Sequence, residues 1–221
     1  MPKRSLPRIN FNFPRFTQIS ESHCGPATLQ MLLSYLNIDI TQEAVSEAGG
    51  ATELIDLNGM RIDQLALAVR KLAPHTQFWY KDHSEIKEVT TLVLKYHYPV
   101  GVEWQGVFDD PEEDGKDDSP ETGDEDYGHY SVVTHVHPRK RQLIIADPYK
   151  NLILQARIFS FEEFEERWYD FNEVPDLLTG QSRLVEDYHM MFIVTPADEV
   201  FPFKLGMKRY EDEISPGPIP S

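Results

Sequence analysis

One cysteine stands in the whole 221-residue sequence, at position 24. A lone cysteine excludes an intramolecular disulfide framework and any multi-cysteine zinc site. Positive charge is also scarce: 21 Lys and Arg against 37 Asp and Glu leave a net charge of −16. That balance argues against non-specific binding to nucleic acid or to an anionic membrane, both of which need basic patches. No stretch approaches the roughly 18 consecutive apolar residues of a membrane span. The opening MPKRSLPRINFNFPRF is basic but lacks the apolar core of a secretory signal. Cytoplasmic residence is the expectation. Internal repeats at solenoid or propeller periods are missing too.

What is present suits one globular domain. Apolar residues make up 40% of a chain long enough to bury a real core. The acidic excess is concentrated: residues 109–126 carry eleven carboxylates and one lysine, −10 of the net −16. The run reads as a solvated loop, with a lure for basic substrates as its functional alternative.

Apolar spacings of three and four predict helices over 25–37, 41–48 and 60–72. Pro26 suits the first helical turn, where an N–H would lack a partner. Gln77–Tyr80 reads as a strand, and Asp82-x-x-Glu85 as the capping box of a helix running to about His97. Thereafter short runs rich in β-branched and aromatic residues predict strands at 100–104, 130–136, 142–146, 152–158 and 190–195. Ser160-x-x-Glu163 caps a short helix through about Trp168. The expected organisation is an extended arm over 1–15, a domain over 16–196, and a Pro-rich tail over 197–221. Helices followed by mostly antiparallel strands define an α+β fold.

Three stretches carry chemistry. Cys24 opens the first predicted helix, where unpaired N–H groups and the helix dipole favour a thiolate. A nucleophilic thiolate needs a base, and the base needs an orienting group. His129 begins a strand after Gly128, which lets another part of the chain approach. Asp147 ends an apolar strand before Pro148. If the two strands form a hairpin around Pro138-Arg139-Lys140, His129 and Asp147 meet at its open end. Gln18, six residues before Cys24, lies close enough for its amide to join the Cys24 N–H in binding an oxyanion.

Gln18-x5-Cys24-Gly25-Pro26-Ala27, then Gly128-His129-Tyr130-Ser131-Val132-Val133, then Ala146-Asp147-Pro148-Tyr149 resemble the papain-like cysteine peptidases of the family 39, double-glycine-leader type. The resemblance runs over roughly residues 16–195. It implies a papain-like fold, an N-terminal helical half packed on a C-terminal antiparallel sheet. It also implies a cysteine-dependent hydrolase in which Gln18 supports the oxyanion, Cys24 attacks, His129 is the base and Asp147 orients it. Peptide or acyl groups are the implied substrates, and no cofactor is called for. One departure is that His23 stands where family members often carry an acid.

Flanking residues are weighed separately. His23, Gly128 and Tyr130 are candidate substrate contacts; for His23 the favoured reading is a partly exposed neighbour of the site. His135 and His137 share a strand face but lack a third ligand, so no metal site is expected. Acyl or peptidyl transfer by the same groups, and a non-catalytic peptide-binding module, are the alternative functions.

Overall fold

A computed structural model of the chain describes residues 13–53, 55–107, 128–175 and 182–210. The acidic run 109–126 and the final ISPGPIPS lie outside the described residues. Helices come first, where the three- and four-residue spacings put them. Helix α1, Cys24–Tyr35, buries Ala27, Leu29, Met31, Leu32 and Leu33. Helix α2, Gln42–Gly49, begins with Thr41 accepting from the Ala44 N–H at 3.2 Å and stops at Gly50, whose φ of 72° is left-handed. A short turn, α3 (Ile55–Asn58), precedes α4, Ile62–Leu72.

Strand β1, Thr76–Lys81, follows. The next helix starts later than its sequence signal. Residues 83 and 84 donate their N–H groups to Tyr188 and His189 of a distant segment, at 2.8 and 3.2 Å. Helix α5 is therefore Ile86–Thr91, and the Glu88 carboxylate accepts from the Glu85 N–H at 3.0 Å. It continues as a wider π turn through Tyr96.

Strands β2 (Val100–Gln105), β3 (Gly128–His137), β4 (Gln142–Ala146) and β5 (Arg157–Ser160) are antiparallel neighbours. The expected strand over 152–158 is instead a 3-10 turn, Lys150–Leu154, followed by β5. The turn drives Ile153 into the core, leaving Leu154 outside. Helix α6 (Phe161–Glu165) opens on the Ser160–Glu163 capping box. Hairpin β6 (Tyr169–Pro175) and β7 (Ser182–Tyr188), absent from the sequence reading, leads to β8 (Met191–Pro196).

The main sheet runs β5-β4-β3-β2-β8-β1-β9, where β9 is Lys208–Arg209. One core joins α1, α2 and α4 to one set of strand side chains, including Tyr130, Val132 and Phe192. A second core lies around Trp79, Trp104, Val133, Phe164 and Trp168. The fold is thus α+β, a helical half on an antiparallel sheet, as expected. The ends of the domain lie further out than the sequence suggested. Phe13, assigned to the arm, is buried against the helical core. Phe201 and Met207, assigned to the tail, are buried in the second core. Both sites carry large apolar side chains in otherwise polar or Pro-rich surroundings, and burial of those side chains decides their place.

Candidate functional site

Strands β3 and β4 form the hairpin on which the expected meeting of His129 and Asp147 depended, with Val132 opposite Ala146 and a bulge between Val133 and His135. His129 and Asp147 consequently lie at its open end. Nε2 of His129 meets Oδ1 of Asp147 at 2.8 Å, and both side chains are buried. The Asp147 carboxylate has two further partners. Its Oδ1 accepts from the Tyr149 N–H at 2.9 Å, and its Oδ2 pairs with Arg157.

Cys24 is the first residue of α1, 8% exposed, and near enough to His129 to bear on its imidazole. The helix tip can approach because Gly25 has no side chain: a Cβ there would sit 3.3 Å from Cδ2 of Tyr130. Burial alone would lower the pKa of His129. The charge and hydrogen bond of Asp147, then the contact with Cys24, outweigh it and push the imidazole up to about 10. Burial tends to raise the Asp147 carboxyl, but His129 and then Arg157 hold it below the usual aspartate value.

Gln18 anchors this arrangement from the other side. Its backbone N–H donates to Pro148 O at 2.9 Å, tying the segment before α1 to the residue after Asp147. Its side-chain amide, however, donates to the carbonyls of Ser20 and Glu21, at 2.8 and 2.9 Å. Both amide hydrogens are therefore in use, and donation to an oxyanion requires exchange of one of them. Among the described residues the buried Oε1 of Gln18 has no hydrogen-bond partner.

The flanking candidates sort differently. His23 is 8% exposed, not the partly exposed residue expected. Its Nδ1 meets Ser20 Oγ at 2.6 Å, and burial lowers its pKa despite Asp56 and Glu43. Gly128 is needed for a close approach, although the partner is a side chain: a Cβ would lie 2.5 Å from Oδ1 of Asp170. Tyr130 is buried between Gly25 and Phe192, so its ring belongs to the core.

Two residues absent from the sequence reading complete the surroundings. Trp104 lies opposite His129 in the β2–β3 ladder and is wholly buried. Arg157 lies over the rings of Phe159 and Trp104, 5.2 and 5.9 Å from their centroids, and donates to Val107 O at 2.6 Å. No local pattern marks Arg157; only the β4–β5 pairing brings it to Asp147. His135 and His137 touch edge to face, and no group of three metal-ligating side chains occurs among the described residues.

The sequence matches the peptidase C39-like family over residues 10–175. The chain belongs to that family. Its fold is similar to the peptidase domain of Streptococcus ComA, a bi-functional ABC transporter involved in quorum sensing. That likeness has 18% identity and a TM-score of 0.54, covering 83% of this chain and 98% of the other. It is also similar to a double glycine motif protease from an AMS/PCAT transporter, solved in complex with the leader peptide. There identity is 16% and the TM-score 0.51, over 83% and 91% of the two chains. A putative C39-like peptidase from Bacillus anthracis gives 17% identity and a TM-score of 0.50, over 83% and 95%. No curated protein sequence matches the chain. The family supports a cysteine peptidase type of protein in broad terms. Among the described residues no helix is long and apolar enough to cross a membrane.

Proposed function

We propose that this chain is a cysteine-dependent hydrolase that cleaves a peptide amide bond through an acyl-enzyme on Cys24. The reading is carried by one observation: His129 is hydrogen-bonded to Asp147, and the sulfur at the tip of α1 acts on the same imidazole. In this mechanism the Cys24 thiolate adds to the scissile carbonyl, and the imidazolium of His129 gives its proton to the departing amine. Water then enters, His129 takes its proton, and the acid product leaves. Asp147 keeps the ring oriented and stabilises its charged form throughout.

As the first residue of α1, Cys24 has a backbone N–H without a partner inside the helix. That N–H binds the developing oxyanion. Gln18 joins it by exchanging the carbonyl of Ser20 or Glu21 for the substrate oxygen. The family and the leader-bound relative support a peptide substrate, so an extended peptide is the appropriate probe.

The test is hydrolysis of fluorogenic peptide amides by wild type, Cys24→Ala, His129→Ala and Asp147→Asn. Cys24→Ala is expected to abolish turnover, and His129→Ala to lower it by about 10²–10⁴-fold. Equal turnover in wild type and Cys24→Ala would remove the proposal.

A further inference from the structure

The tip of α1 rests on a ring that belongs to the strand of the base. A Cβ at Gly25, directly after Cys24, would sit 3.3 Å from Cδ2 of Tyr130. Tyr130 directly follows His129 in β3. One buried ring is therefore the contact between the helix that carries the sulfur and the strand that carries the imidazole. Phe192 meets that ring edge to face, with centroids 5.9 Å apart. Leu65 and Met60 complete the walls around Gly25.

The polar end of Tyr130 meets an acidic group, Glu103, Asp170 and Asp187, that the mechanism does not use. Glu103 lies opposite Tyr130 in the β2–β3 ladder and is 1% exposed. Its carboxyl is near enough to the Tyr130 hydroxyl for each to bear on the other. Nδ2 of Asn172 in β6 donates to Oε1 of Glu103 at 3.1 Å and to Oδ2 of Asp187 in β7 at 2.8 Å. Asp170 stands where a side chain at 128 would be, directly before His129, and accepts from Nε2 of Gln105 at 2.9 Å. Hairpin β6–β7 thus braces both neighbours of the base.

Burial, and then the charge of Glu103, raise the Tyr130 phenol well above its ordinary value. Its hydroxyl therefore keeps its proton and remains a donor. Burial, and then the charge of Asp187, push Glu103 up to about 7. The carboxyl offers a lone pair in both of its charge states, so the contact with Tyr130 survives that titration. Protein interiors are packed as densely as organic crystals and transmit strain to their neighbours. A tilt of the Tyr130 ring is accordingly felt at Gly25, and the sulfur one residue away moves with it. Buried as they are, the two side chains act through their neighbours and not on the substrate.

We propose that Tyr130 and Glu103 are positioning residues for the reaction: Glu103 fixes the tilt of the Tyr130 ring, and the ring sets how closely Cys24 approaches His129. The inference rests on the peptidase reading and adds two residues to its machinery. Tyr130 suits the task because its backbone is joined to the base while its ring supports the nucleophile's helix. Asn172 holds the Glu103 carboxyl from the hairpin side, so that the ring has one preferred orientation.

The experiment pairs a turnover measurement with one that needs no turnover. Full-length wild type, Tyr130→Phe, Glu103→Gln, Glu103→Ala and the double variant Tyr130→Phe/Glu103→Ala are assayed on a fluorogenic peptide amide. The rate of Cys24 alkylation by iodoacetamide is measured on the same samples. Tyr130→Phe removes the hydroxyl alone, and it and Glu103→Ala are each expected to lower kcat by about tenfold and to slow alkylation similarly. KM is expected to stay within about twofold, since no substrate contact is lost. Glu103→Gln, which keeps the shape and an acceptor, is expected to recover most of both rates. The double variant is expected to be no slower than either single one, because both act through the same contact. A folded Tyr130→Phe with wild-type kcat and alkylation would overturn the proposal, whatever its melting temperature, and so would losses that multiply in the double variant. Should Glu103→Ala fail to fold by circular dichroism, Tyr130→Phe decides. In a protein that never cleaves, slowed alkylation of Tyr130→Phe would retain the positioning pair and remove the peptidase. Cleavage with both rates unchanged in Tyr130→Phe would do the reverse.

Discussion

Arg157 pairs with Oδ2 of Asp147, the oxygen that His129 leaves free. The carboxylate is therefore held from two directions, and its charge is shared between a permanent cation and an imidazole. Replacing Arg157 by Gln removes the permanent cation, frees the carboxylate to rotate, and leaves more of its charge to His129. Turnover is expected to fall by about tenfold or more, since misplacement of an orienting group is costly. The alkaline limb of kcat/KM is expected to move to higher pH, and Arg157→Lys to recover part of the rate. Loss of rate with an unshifted pH profile would make Arg157 a structural residue only.

The alkaline limb itself is a prediction. His129 holds its proton up to about 10, so kcat/KM for a fluorogenic peptide is expected to stay level through pH 8 and fall near that value. The same proton is linked to stability. A histidine raised above its unfolded value contributes stability that is complete below about 6.5 and is lost as pH climbs through the folded value. Asp147→Asn removes the largest cause of the rise, and the limb is expected to move toward neutrality. A wild-type limb near pH 7 would count against the ion pair.

Glu103 gives a different pH dependence. Its folded pKa of about 7 lies above the ordinary glutamate value. The native state therefore holds a proton that the unfolded chain has released. Stability is expected to be greatest below about 4.5 as far as this group is concerned, and to decline as pH rises to about 7. Urea denaturation of wild type and Glu103→Gln at pH 5 and pH 7.5 reads the effect. The variant should lose less stability over that interval.

Gly128 tests the contact between the base and the acidic group. A methyl at 128 meets the Asp170 carboxylate, so Gly128→Ala is expected to destabilise by about 1–3 kcal/mol through overcrowding. Asp170→Ala in the same chain should relieve part of the loss. The coupling is measured by a double-mutant cycle in thermal or urea unfolding. Strict additivity would show that position 128 accommodates the methyl some other way.

A serious loss is expected at Gln18. If its amide binds the oxyanion, Gln18→Ala lowers kcat by about 10²–10³ with Cys24 still alkylated by iodoacetamide at the wild-type rate. If it serves only to hold Ser20 and Glu21, alkylation changes together with kcat.

The core of the site was readable because its geometry follows from local rules. Cys24 begins a helix whose apolar spacing is unambiguous, and His129 and Asp147 terminate strands joined by a short turn. Alternation and turn length then bring the two ends together. Arg157 was not readable, since nothing in Arg157–Ser160 foretells the pairing of β5 with β4. The β6–β7 hairpin was hidden for a second reason. It turns Asp170 inward while Phe171, Leu184 and Tyr188 remain exposed, the reverse of the usual alternation. His23 was misjudged because its burial depends on Ser20 and the segment before α1, a tertiary matter.

The place of β8 has a consequence for biosynthesis. Strand β1 reaches β2 only through β8, a segment from the far end of the described chain. A ribosome must therefore release residues 191–196 before the two parts of the main sheet are joined edge to edge. A nascent chain paused earlier exposes Val102 and Phe78, along with the unfilled slot between their strands, to holdase chaperones and to its neighbours on a polysome.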